Sequence, residues 1–98
     1  MANAGIKKIV PIQQLSKHNF LILTYRETEY LSLVALGNKN KKIAEYLCVS
    51  TCTVKKTLEK IFEKLSAKDR SNAVAIALIH NIINAEMLLN IKNRYDVV

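Results

Sequence analysis

Residues 40–65 read NKKIAEYLCVSTCTVKKTLEKIFEKL, and the reading of this stretch decides the fold. Val54, Leu58, Ile61 and Leu65 recur at helical spacing and fall in one narrow stripe, the core face of a helix. Cys52, Lys55, Lys56, Glu59, Lys60 and Glu63 lie on the other side. Ser50 is a good N-cap, so this helix is expected over about 51–65. Upstream, Ile43, Ala44 and Leu47 give a short helix from Asn40 to Leu47 its inward face. Cys48, Val49 and Ser50 form the turn between the two.

The flanks add two more helices. Thr24-Tyr25-Arg26-Glu27 fits a capping box, with Thr24 as N-cap and Glu27 reaching back from the third helical position. That helix runs to about Leu36, carries Tyr30, Leu31 and Val34 on one side, and ends at Gly37. Asp69 caps a last helix expected to run to about Ile91. It is apolar on two sides: Val74, Leu78, Ile82, Ala85 and Leu89 on one, Ile76, Ile79, Ile83 and Met87 on the other. A surface helix of a small monomer needs one apolar face, so the second needs a cover. Either residues 1–22 fold over it, or two chains pair; the homodimer is the expected solution, with Ile76, Ile79, Ile83 and Met87 as its seam.

Composition sets the outer bounds. A chain of 98 residues is one small domain. Half its residues are hydrophobic, so it can bury a core, while two Gly and one Pro leave little for the tight turns of a sandwich or barrel; the class is all-α. The expected division is an N-terminal arm or packing segment over 1–22, the helical domain over 23–91, and a tail over 92–98. In the first segment Ile6, Ile9, Val10, Ile12 and Leu15 suit packing, whereas Lys7, Lys8 and Lys17 suit a basic arm. The longest charge-free stretch, Ser71 to Ala85, falls well short of the ~20 residues that span a bilayer. No signal peptide is evident. Two cysteines make no secreted disulfide framework, and the cytoplasm is the expected location.

The formal net charge is +7, and it is concentrated: residues 39–68 hold eight Lys and three Glu, whereas 69–98 sum to zero. A basic small domain suggests a polyanion, either nucleic acid or an anionic membrane surface. Lysine richness from AT-rich coding DNA makes net charge alone weak evidence. Two helices joined by a short turn, the second with a basic outer face, make a helix-turn-helix. The second helix would enter the major groove, where Lys55 and Lys56 can donate to guanine O6 and N7 or to phosphate. Lys41 and Lys42 on the short helix, and Lys60 and Lys64 on the long one, would supply phosphate contacts. The N-terminus around Ser50 and Thr51 presents backbone N–H groups to phosphate. The charge pattern by itself fits a solvated face equally well, since Lys56–Glu59 and Lys60–Glu63 are i,i+3 pairs.

Leu23-Thr24-Tyr25-Arg26-Glu27, Glu29, Leu31, Gly37, Asn40-Lys41, Ile43-Ala44, Leu47, Val49-Ser50, Thr53-Val54-Lys55, Ile61, Lys64-Leu65 and Arg70 match one family in order and spacing. Over about residues 22–80 the chain resembles the LuxR/NarL-type (GerE-like) helix-turn-helix. The resemblance implies a four-helix DNA-binding domain of bacterial transcription regulators, with its third helix in the major groove and a homodimer through a long fourth helix. Thr53, Val54 and Lys55 stand at the family's Thr-Val-Lys, and Lys55 and Lys56 look like base-edge or phosphate contacts. Thr57 stands where His is frequent, and Glu59 where a basic residue is common. A carboxylate there either accepts from cytosine N4 or repels phosphate; repulsion, or a neutralising pair with Lys55 or Lys56, is the expected role. Lys39 replaces a helix-capping Ser and Lys42 an acidic residue.

About 22 residues precede the motif, too few for a receiver or ligand-binding domain, so the resemblance is to the stand-alone form, with control by abundance or a protein partner. Double-stranded DNA is the expected ligand, and RNA polymerase or a related regulator the further partner. No membrane, metal, cofactor or enzymatic activity is expected. Cys48 and Cys52 have no nearby His, since His18 and His80 are remote in sequence, and no nucleophile–base pairing or Gly-rich phosphate loop occurs. The rival reading is a protein-interaction module that heterodimerises with a related regulator and blocks it.

Overall fold

The computed structural model describes residues 23–97. They form five helices: α1 (Tyr25–Ala35), α2 (Asn40–Leu47), α3 (Thr51–Lys64), α4 (Arg70–Ile79) and α5 (Ala85–Tyr95). No strand occurs among the described residues. None of these helices is long and apolar enough to cross a membrane.

Side-chain caps start four of the five helices. Glu27 N–H donates to Thr24 Oγ1 at 3.0 Å and Thr24 N–H donates to Glu27 Oε1 at 2.8 Å, closing the capping box of α1. Ser50, Asp69 and Asn84 each accept a backbone N–H three residues on, which starts α3, α4 and α5. α2 starts at Lys39 with no side-chain cap, as the loss of a capping Ser implies.

Every helix also ends the same way. Gly37, Cys48, Ser66, Asn81 and Asp96 stand in the left-handed region. In each case the next residue's N–H reaches back five residues, as Asn38 does to Leu33 O and Ala67 to Phe62 O. Four of the five carry a Cβ there, at a cost of about 1–2 kcal/mol each. Ser66→Gly is therefore expected to stabilise the domain by about 0.5–1 kcal/mol, net of the entropy glycine adds to the unfolded chain. A urea titration checks this: the midpoint should rise at unchanged m-value.

α1 is the hub, packing against α2, α3, α4 and α5. Residues 27–34 are buried without a break, and α1 supplies Tyr30, Leu31, Leu33 and Val34 to a core shared with Ile43, Leu47, Val54, Leu58 and Ile61. The hydroxyls of Thr28 and Ser32 donate to Tyr25 O and Thr28 O, so their burial leaves no donor unmet.

The expected single helix from Asp69 to Ile91 is two helices. The chain leaves α4 at His80, turns through Asn81 (φ 58°), and restarts at the Asn84 cap. Both residues suit their roles, since Asn tolerates the left-handed cap and is among the best N-caps. The turn changes which side chains are inside. Ile82 and Ile83, on opposite faces of the expected helix, are both in the core, at 2% and 0% exposure. α4 faces inward through Ala73 and Ala77, while Leu78 and Leu89, expected inward, are exposed. Of the expected dimer seam, Ile83 is buried within its own chain and cannot meet a partner. Ile76 and Met87 are partly buried against the core, and Ile79 stands in solvent at 63% exposure. The two-sided apolar pattern is thus largely met inside one chain. α5 returns to pack on α1, and the tail expected from residue 92 begins within α5, with Val97 buried beyond it.

Candidate nucleic-acid interface

α2 and α3 pack against each other across the turn of Cys48, Val49 and Ser50, and polar tethers fix them on the rest of the domain. Arg26 of α1 donates to Leu47 O at 3.1 Å, at the end of α2. Arg70, at the start of α4, donates to Asn40 Oδ1 and to Asn38 O, both at 2.8 Å, and so holds the beginning of α2. At the far end of α3, Lys64 Nζ donates to both carboxylate oxygens of Glu27, at 3.0 and 2.9 Å. Charge-assisted bonds of this kind are the stronger hydrogen bonds. They set the orientation in which α3 projects.

The projecting surface carries most of the expected contact residues. Lys41, Lys42, Ser50, Thr51, Thr53, Lys55, Lys56 and Lys60 are exposed, and Thr57 is partly so. Cys52 is exposed among them, and both Cys48 and Cys52 are free thiols. Ser50 Oγ accepts from Thr53 N–H and donates to Thr53 Oγ1, both at 3.0 Å. This leaves the amides of Thr51 and Cys52 at the helix mouth without an intrahelical acceptor, where the positive end of the helix dipole favours an anion.

Three expectations change here. Lys64, expected to contact phosphate, is instead the ion-pair partner of buried Glu27. Lys42 pairs with Glu45 at 3.3 Å and lies 5.4 Å from the centre of the Tyr46 ring. That exposed pair is worth little and can open to a phosphate. The anticipated Lys56–Glu59 and Lys60–Glu63 pairs do not form: neither Glu59 nor Glu63 makes an ion pair among the described residues.

Burial alone would raise the Glu27 carboxyl. The hydrogen bond from Thr24 N–H, the Lys64 ammonium and the more distant Lys60 outweigh it and hold the group below its ordinary value. A carboxyl lowered in the folded state stabilises the fold above its unfolded pKa and loses that contribution as pH falls through the folded one. The melting temperature is therefore expected to fall as pH drops below roughly 4.3. Glu27→Gln should melt lower at pH 7 and decline less steeply in acid. Parallel curves for the two proteins would show that Glu27 contributes nothing to the acid transition.

The sequence reading uses Arg26, Glu29, Asn40 and Arg70 only as matching positions or helix bounds and gives them no contact. Glu29 is buried between Arg26, at 3.2 Å, and Arg94 of α5, which also donates to Tyr25 Oη. Tyr95 of α5 meets Tyr46 of α2, with ring centroids 5.8 Å apart. The available signal was a charged residue directly after a cap, Arg70 after Asp69, and a second carboxylate two residues beyond the capping box.

Two helices joined across a tight turn, the second presenting an exposed basic face and resting on a third, define a helix-turn-helix domain. The chain belongs to the luxR family of bacterial regulatory proteins, whose pattern matches residues 21–77. α5 lies beyond the matched segment. The chain is similar to the uncharacterized transcriptional regulatory protein YxjL of Bacillus subtilis, 43% identical over 60 residues, which are 61% of this chain and 28% of that protein. It is also similar to the response regulator protein VraR of Staphylococcus aureus, 42% identical over 62 residues, 63% of this chain and 30% of that one. The chain thus spans less than a third of the length of these relatives. No solved structure matches it.

Proposed function

We propose that this protein is a sequence-specific, double-stranded DNA-binding transcription regulator of the cytoplasm that inserts α3 into the major groove. The observation that carries the reading is the exposed set Lys55, Lys56 and Lys60 on a helix whose opposite face is core, whose far end is tied to Glu27 through Lys64, and whose partner helix α2 is held at its two ends by Arg70 and Arg26. A basic face on a helix held in place this way is suited to groove entry, because the helix itself need not reorder on binding. Lys55 and Lys56 reach base edges or phosphate; Lys41, Lys42 and Lys60, with the amides of Thr51 and Cys52, hold the backbone.

The homodimer is part of the same proposal, in a form narrower than two paired long helices. Leu78 and Ile79 are adjacent and exposed on α4, at 45% and 63%, and a second copy covers them. Half-sites on the DNA would then be related by a two-fold axis.

The test is anisotropy of a labelled generic duplex titrated across salt. A dimer making ~6–8 phosphate contacts should give a log–log slope of roughly −5 to −7. A weak, flat response would overturn the DNA reading and favour a module that acts by pairing with a related regulator.

A further inference from the structure

We propose that Glu59 is a specificity-determining residue that accepts a hydrogen bond from the N4 amine of a cytosine in the major groove. The inference rests on the DNA-binding reading above and adds a base to it.

The starting observation is an unpaired carboxylate where pairing would be easy. In α2, Lys42 and Glu45 close an ion pair at i,i+3 spacing. In α3, Lys56 and Glu59 stand at the same spacing on an exposed surface and do not close. Lys64, further along α3, is committed to Glu27. Glu59 is therefore exposed and without an ion-pair partner among the described residues, one turn beyond Lys55 and Lys56 on the face that turns away from Val54, Leu58 and Ile61.

On a surface that meets phosphates such a carboxylate is a cost unless it meets a donor. The major-groove edge offers two kinds of amine. Cytosine presents N4–H2 as the donor on its edge, whereas the adenine amine stands beside the N7 acceptor, which repels a carboxylate. Guanine O6 and N7 and thymine O4 are acceptors and repel it as well. A carboxylate at this depth thus favours cytosine by attraction and disfavours the other bases by repulsion, which is how a binder discriminates. Glu63, a further turn along, is also unpaired, but lies toward the helix end that leaves the groove; recognition helices contact bases mainly through their N-terminal residues.

The experiment is selection from a duplex library with a randomised core, using the full chain and its Glu59→Ala, Glu59→Gln and Glu63→Ala variants, with affinity for a generic duplex measured alongside. The wild type should enrich cytosine at one position of each half-site. Glu59→Ala should lose that preference, roughly 5- to 150-fold, while binding the generic duplex more tightly. Glu59→Gln should move the same position toward adenine, which pairs with an amide through N6 and N7. Glu63→Ala should keep the wild-type pattern. If Glu59→Ala enriches the same bases as the wild type and merely binds all DNA more tightly, the carboxylate only repels and the proposal is overturned. Absence of DNA binding by the wild type would overturn the underlying functional reading instead, and shows before any variant is made.

Discussion

Ile83→Glu is expected to leave the domain unfolded at 25 °C. Ile83 is fully buried in the cluster that includes Ile82 and Ile91. Removing its side chain from the core forfeits about 2–3 kcal/mol of apolar burial, and an unpartnered carboxylate in its place costs several kcal/mol more. The sum approaches the whole stability of a small domain, about 5–15 kcal/mol. Circular dichroism should show the loss of helix directly. Ile79→Glu, four residues earlier and exposed, should melt within about 0.5 kcal/mol of the wild type and, with α4 as the dimer seam, convert the protein to a folded monomer in light scattering. The pair separates two architectures. Were residues 70–91 one helix with an outward second stripe, both variants would stay folded and both would be monomers; a native-like melt for Ile83→Glu would refute the turn at Asn81.

The Lys55→Ala, Lys56→Ala double variant is expected to lose roughly 30- to 1,000-fold in affinity for each half-site at unchanged thermal stability, on the basis of about 1–2 kcal/mol per contact. Both side chains are exposed and form no ion pair within the described residues, so their removal leaves the fold intact. The salt dependence assigns each lysine. A phosphate contact lowers the magnitude of the slope by about 0.9 per lysine in each subunit, whereas a base contact relaxes sequence preference with less change in slope. Lys64→Ala behaves differently: it leaves Glu27 buried without its ammonium, so stability falls as well. Unchanged affinity in the double variant would remove α3 from the DNA.

The helices that could be read from the sequence are those written in local chemistry. Thr24 with Glu27, Ser50 and Asp69 satisfy amides within three residues, and Gly37 takes a φ of 92° that side chains disfavour, so both ends of α1 and the starts of α3 and α4 follow from neighbours along the chain. The break between α4 and α5 is written just as locally, in Asn81 and Asn84. It is obscured because apolar residues continue through it at nearly helical spacing, and an apolar period reports burial without saying which element buries it.

The candidate interface divides in the same way. Exposure of Lys55, Lys56 and Lys60 follows from their angle to Val54, Leu58 and Ile61 on one helix, which a periodicity carries. The fates of Glu27, Glu29 and Lys64 do not follow from any such pattern. Glu27 meets Lys64 across 37 residues of sequence and Glu29 meets Arg94 across 65, and each polar residue alone reads as solvent-facing. Burial becomes tolerable for them because a counter-charge arrives from another helix. The sequence by itself determined the all-helical class, the helix-turn-helix and the basic face of its second helix, because caps and periodicity act over a few residues. The tertiary structure decided that Ile83 is core, that Lys64 is a tether and that Glu59 stands unpaired. Those outcomes depend on which distant side chains share a surface once α1 is enclosed by the other four helices, and a one-dimensional pattern holds no record of that.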